Sequence, residues 1–174
     1  MSVQAKRRAD YQPPAFSIAT VDLHITLHPT QTKVISTLSV TRNGAHDSPL
    51  VLDGDNLSLD SISINGTHLS DNEYTVTDSA LSVVTELDEF VLEITNTIAP
   101  EHNKALEGLY LSGGAYCTQC EAEGFRRITY FMDRPDVLSV YTVTVVADKS
   151  VPMLLANGNP VDKGEVDENA HFVK

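Results

Sequence analysis

Apolar and polar positions alternate along most of this chain, in runs rich in Val, Ile, Thr and Leu such as Ile18-Ala-Thr-Val-Asp-Leu-His-Ile-Thr-Leu27 and Lys33-Val-Ile-Ser-Thr-Leu-Ser-Val-Thr41. A period of two sends successive side chains to opposite faces of an extended backbone, so Val21, Leu23, Ile25 and Leu27 share one face. The same reading predicts strands at Leu50–Leu52, Leu57–Ile64, Tyr74–Thr77, Ala80–Val84, Phe90–Thr95, Val140–Ala147 and Met153–Leu155, each bounded by Gly, Pro, Asn, Asp or Ser. Such spacing points to an all-β domain, sandwich-like or barrel-like. Asn65-Gly66 marks a type I′ hairpin turn, because both of its central positions need positive φ. Helix is scarce, and only Asp133-Arg-Pro-Asp136 suits a short helical turn, with Pro135 at its first position.

At 174 residues the chain fits one domain, which at this size buries roughly 70% of its unfolded surface and needs no metal or disulfide staple. The expected division is an N-terminal extension over 1–14 and an all-β domain over 15–174. His171-Phe-Val173 begins a strand whose pattern does not complete, the look of a truncated C-terminal end. Acidic residues outnumber basic ones 24 to 12, and the resulting charge of −12 is spread along the chain, which argues against a nucleic-acid partner. Lys6, Arg7 and Arg8 precede no apolar stretch, and no run approaches the roughly 18 apolar residues that span a bilayer. No membrane partner and a cytoplasmic location are therefore expected.

Familiar catalytic signatures are missing from these residues: there is no His-Glu-x-x-His, no Gly-x-Ser-x-Gly and no phosphate-cradling Gly-rich loop. Cys117 and Cys120 form a Cys-x-x-Cys pair, yet neither a second ligand pair nor a helix follows, so two reduced thiols near a loop is the favoured reading over zinc or a redox dithiol. His24 and His28 would lie about 13 Å apart on a strand, too far for one metal. Surface histidines are expected there, and the acids of Thr85–Glu89, with Glu101, His102 and Glu107, read as solvated. No metal site and no catalytic residue is assigned within this chain.

The segment from Tyr110 to Asp136 departs from the alternating pattern and concentrates polar and charged residues. If its backbone is extended, Gln119, Glu121 and Glu123 point to one side and make an acidic surface suited to a cationic ligand. The alternative is internal pairing of these acids with Arg126, Arg127 or Arg134, and composition alone favours it, because ion-pair networks imitate functional sites.

Three elements in order, Ala105-Leu-Glu-Gly-Leu-Tyr110, Cys117-Thr-Gln-Cys-Glu-Ala-Glu-Gly-Phe-Arg126 and Tyr130-Phe-Met-Asp-Arg-Pro-Asp136, carry a Gly-Leu-Tyr, a Thr-Gln-x-Glu, an Arg and an Asp-x-Pro. In these the chain resembles, from Tyr11 to its end, the N-terminal domain of bacterial aminopeptidase N, a family of zinc-dependent gluzincin aminopeptidases. The resemblance implies a saddle-shaped all-β domain that packs over a thermolysin-like catalytic domain of the same polypeptide, with the zinc and its ligands outside these residues. It also implies that Glu121 binds the free α-ammonium of a peptide substrate and that Gln119 borders the pocket for the first side chain. Glu123 inherits no role, and Asp133–Asp136, with Arg-Pro where wider relatives have Glu-Pro, reads as scaffold. The function so implied is recognition of a free peptide N-terminus in an enzyme that releases N-terminal amino acids, the chain alone being inactive. The alternative is a stand-alone acidic β-sandwich module that docks a basic partner protein.

Overall fold

The structure is a computed structural model and describes residues 7–174, so the first six residues of the expected extension lie outside the described residues. Thirteen strands follow in order: β1 (Phe16–Thr26), β2 (Thr32–Arg42), β3 (Leu50–Asp53), β4 (Ser58–Ile64), β5 (Thr67–His68), β6 (Tyr74–Val76), β7 (Ala80–Val83), β8 (Glu89–Ile98), β9 (Gly108–Ser112), β10 (Ala115–Gln119), β11 (Val140–Asp148), β12 (Lys163–Glu165) and β13 (Ala170–Val173). Among the described residues, helix is confined to 3₁₀ turns at Arg8–Asp10, Pro100–His102 and Phe125–Arg127.

An eight-stranded sheet runs β12-β13-β11-β1-β2-β8-β4-β5, joined by a three-stranded sheet β3-β7-β6 and the β9–β10 hairpin. All neighbours are antiparallel except β1 and β11. One irregularity explains how β1 buries both Ile18 and Val21. Its register on β2 slips between Ile18 and Thr20, an extra residue that resets the alternation so that Phe16, Ile18, Val21, Leu23 and Ile25 all face inward. With Val34, Leu38 and Val40 of β2 and Phe90, Leu92 and Ile94 of β8, they join Leu50, Leu52, Leu81 and Val83 of the smaller sheet in one core. This is the sandwich-like all-β architecture expected from the alternation. At Asn65 and Gly66 φ is 51° and 79°, the conformation of the predicted hairpin turn between β4 and β5.

Two expectations are corrected. Met153–Leu155 is no strand: it pairs with nothing and leaves Met153 71% and Leu155 82% exposed. Asp133–Asp136 is not helical either, and the chain reverses there through an Arg134 carbonyl accepting from the Val137 amide at 3.2 Å. At His171–Val173, where a strand was expected to begin, the chain pairs with β11 on one side and β12 on the other.

The segment Ile128–Met132 is drawn into the core, with Tyr130 only 1% exposed. Polar bonds fix it to the large sheet: buried Ser36 and Thr129 share a hydrogen bond of 3.0 Å, and Asn96 Nδ2 donates to the Ile128 carbonyl at 3.0 Å. Phe131 bridges to Asp53, the two residues exchanging backbone bonds of 2.8 and 3.1 Å. The end of β3 and the segment after Glu121 are thereby held side by side.

Candidate functional site

β10 ends at Gln119, and the chain turns at once. The Gly124 amide donates to the Cys120 carbonyl at 2.8 Å, closing a turn over 121–124 that leads into the 3₁₀ turn at Phe125–Arg127. The extended geometry expected for Gln119, Glu121 and Glu123 is therefore absent, and the three do not line one strand face. The peptide bond between Glu121 and Ala122 is cis. Gln119 and Glu121 are both exposed, and the Gln119 Nε2 donates to the Glu121 carbonyl oxygen at 3.0 Å.

The acids around this turn divide into two kinds. Arg126 takes Asp133 through Nε at 3.0 Å and lies 3.6 Å from Asp53 and 3.7 Å from Glu123. Burial alone would lower the pKa of its guanidinium, but the hydrogen bond it donates to Asp133 and the charges of Asp53, Asp133 and Glu123 outweigh that and raise it. Arg127 pairs with Asp55 at 2.6 Å and Glu107 at 3.1 Å, so Glu107 is a structural partner rather than merely a solvated acid. Glu123 thus follows the internal-pairing alternative. Glu121 does not: among the described residues its carboxylate has no ion-pair or hydrogen-bond partner.

Behind the turn lies an aromatic wall. Phe125 meets Phe131 edge-on with ring centroids 5.1 Å apart and Tyr141 at 5.8 Å. The Tyr141 hydroxyl is pushed up by burial, then by Asp133 and Cys120. Sequence reasoning missed this tyrosine, since β11 reads as an ordinary strand. Farther along, Arg134 bonds Asp136 at 2.7 Å and donates to the Gln12 carbonyl at 2.9 Å, while the Tyr11 hydroxyl donates to Asp136 at 3.0 Å. The Asp133–Asp136 element is scaffold that also ties down the N-terminal segment.

Cys117 and Cys120 are unbonded to each other, and burial, then Asp133, pushes the Cys120 thiol up, the reverse of an activated nucleophile. The His28 ring accepts amide hydrogen bonds from Thr30 at 3.2 Å and Gln31 at 3.1 Å, a local turn contact. Among the described residues no three His, Cys, Asp or Glu side chains come together as a metal-ligand set. Among the described residues no helix is long and apolar enough to cross a membrane.

Comparison with known proteins meets this geometry from the other side. Residues 10–174 match the Peptidase M1 N-terminal domain. Aminopeptidase N of Caulobacter vibrioides is 53% identical over 171 residues, covering 98% of this chain and 20% of that protein. Aminopeptidase N of Escherichia coli is 45% identical over 175 residues, again covering 98% of this chain and 20% of its own length. Among solved structures, Legionella pneumophila aminopeptidase A in complex with aspartic acid superposes with a TM-score of 0.89 at 34% identity, over 97% of this chain and 20% of that one. An M1 zinc metallopeptidase from Deinococcus radiodurans, at 19% identity and a TM-score of 0.75, shares the fold. The chain spans 20% of the length of the curated relatives named here. By the family match across nearly all of its length, it belongs to the Peptidase M1 N-terminal domain family.

Proposed function

We propose that this domain recognises the free N-terminus of a peptide within a zinc aminopeptidase, with Glu121 holding the α-ammonium and Gln119 beside it bordering the pocket for the first side chain. One observation carries the reading: Asp53, Asp55, Glu107, Glu123 and Asp133 are all engaged by Arg126 or Arg127, whereas the Glu121 carboxylate, at the tip of the same turn, is exposed and unpaired among the described residues. A carboxylate held that way accepts charge-assisted hydrogen bonds from an ammonium. Fixing the amine also fixes the distance to the first peptide bond, which makes the enzyme an exopeptidase. An internal peptide segment would leave Glu121 desolvated without a partner, a penalty of several kcal/mol.

In this reading residues 15–174 form the recognition domain and 1–14 an extension. A thermolysin-like catalytic domain of the same polypeptide carries the zinc, and the enzyme works in the cytoplasm. The aminopeptidase relatives at 40–53% identity support it. The test on this chain is an aminoacyl anilide assay with added zinc, where no turnover is expected. Turnover that disappears in Glu121→Ala would contradict the assignment of catalysis to other residues.

A further inference from the structure

The cation five residues on from Glu121 is engaged by other acids. Arg126 Nε donates to Asp133 Oδ2 at 3.0 Å, one of its terminal nitrogens donates to the Asp133 carbonyl at 3.0 Å, and the guanidinium also lies 3.6 Å from Asp53 and 3.7 Å from Glu123. Asp133 is itself immobilised: its carboxylate, 12% exposed, accepts the Arg126 amide at 3.1 Å, and its own amide donates to Asp53 at 3.0 Å. The carbonyl of Arg126 accepts the Asp55 amide at 3.0 Å, which ties the turn's trailing end to the loop after β3. Its leading end is held by Gln119 on the Glu121 carbonyl. Three carboxylates on one guanidinium leave surplus negative charge, and that field repels a fourth carboxylate from the cluster while favouring an external cation beside it.

We propose that Arg126 is a positioning residue for Glu121. Saturated by Asp133, Asp53 and Glu123, it fixes the turn over 121–124 and keeps the Glu121 carboxylate free for an incoming ammonium. This rests on the α-ammonium reading above. Loosening Asp133 frees the guanidinium to pair with Glu121 and compete with substrate, and removing the guanidinium lets the turn drift. Both act through Glu121.

The test is steady-state kinetics in the complete aminopeptidase polypeptide that carries this domain, on a peptide with a free N-terminus. The variants are Arg126→Gln, Asp133→Asn, Glu121→Gln and the two doubles with Glu121→Gln, and zinc content and thermal midpoint are measured on each. Each of the first two is expected to raise KM about ten-fold with kcat changed less than about three-fold, and each double to match Glu121→Gln within about two-fold, since residues acting through one group are not additive. Losses that multiply, or an unchanged KM in both single variants, would overturn the proposal. Should Arg126→Gln fail to fold, the near-isosteric Asp133→Asn carries the same cycle. An unchanged KM in Glu121→Gln sinks the α-ammonium reading and this proposal with it, whereas multiplying losses beside a damaging Glu121→Gln sink the proposal alone.

Discussion

Gly124 sits where the turn bearing Glu121 crosses the end of the β9–β10 hairpin, and replacing it with alanine tests how rigidly that turn is seated. Its φ of −86° is open to any residue, so the penalty is one of space alone. A Cβ there would run into the Gln119 carbonyl oxygen and approach the Cys120 Cα and Gly108 N at 3.0 Å each, all of them backbone atoms. Relief requires lifting the turn and stretching the 2.8 Å bond from the Gly124 amide to the Cys120 carbonyl. Overpacking at about 1–3 kcal/mol plus about 0.5–1.5 kcal/mol for the weakened bond gives about 1.5–4.5 kcal/mol, centred near 3 kcal/mol. Gly113→Ala is the control: φ is 58° with nothing within 4 Å, so only the left-handed penalty of about 1–2 kcal/mol applies. Urea unfolding followed by far-ultraviolet circular dichroism, with a shared m-value, gives both numbers. A loss in Gly124→Ala no larger than in Gly113→Ala would refute the close seating of the turn.

Four further outcomes are expected. Asn96→Asp puts a carboxyl against the Ile128 carbonyl at a fully buried position. Burial raises that carboxyl's pKa, so stability is kept while the group stays protonated and lost as pH rises, by about 3 kcal/mol or more at pH 7, and unfolding curves at pH 4 and 7 that coincide would contradict this. Met153→Ser with Leu155→Ser should shift the unfolding free energy by less than about 0.5 kcal/mol, because both side chains are exposed and unpaired; a larger loss would mean that they pack. The raised Cys120 thiol should react with iodoacetamide more slowly than an unhindered thiol at pH 8, and mass-spectrometric mapping showing the reverse would revive the dithiol reading. Asp136 is held below its ordinary value by the Arg134 hydrogen bond and by Tyr11, so its contacts persist above that value and fail as pH falls through the lowered one. At neutral pH, Asp136→Ala should therefore speed tryptic cleavage at Arg8 with little change in the thermal midpoint.

Alternation made β1, β2 and β8 legible, because each buries every second residue against one core, and Asn65-Gly66 made their neighbouring hairpin legible. The β9–β10 hairpin stayed hidden since its residues are mostly half-buried or exposed, with no clean period to read. β12 has no strand-forming residue at all and earns its place through Gly164, which lies under the Phe172 ring. Met153–Leu155 misled for the opposite reason: it is apolar in composition but has no pairing partner. At the site, the role proposed for Glu121 comes only from the family resemblance. The turn over 121–124 was not read, since an extended backbone was considered there, and neither were the partners that saturate Arg126 and Arg127, because Asp53 and Asp55 lie some seventy positions earlier and no local pattern links them.

The measurement that bears most directly on an amine anchor at position 121 is the comparison of peptide hydrolysis with zinc content for Glu121→Ala in the complete enzyme. Truncating one partner of a charge pair that forms only when substrate covers it costs about 2–5 kcal/mol, so kcat/KM should fall at least about thirty-fold while bound zinc and thermal midpoint hold steady. Hydrolysis within two-fold of the parent, or activity lost only in step with zinc, would contradict it.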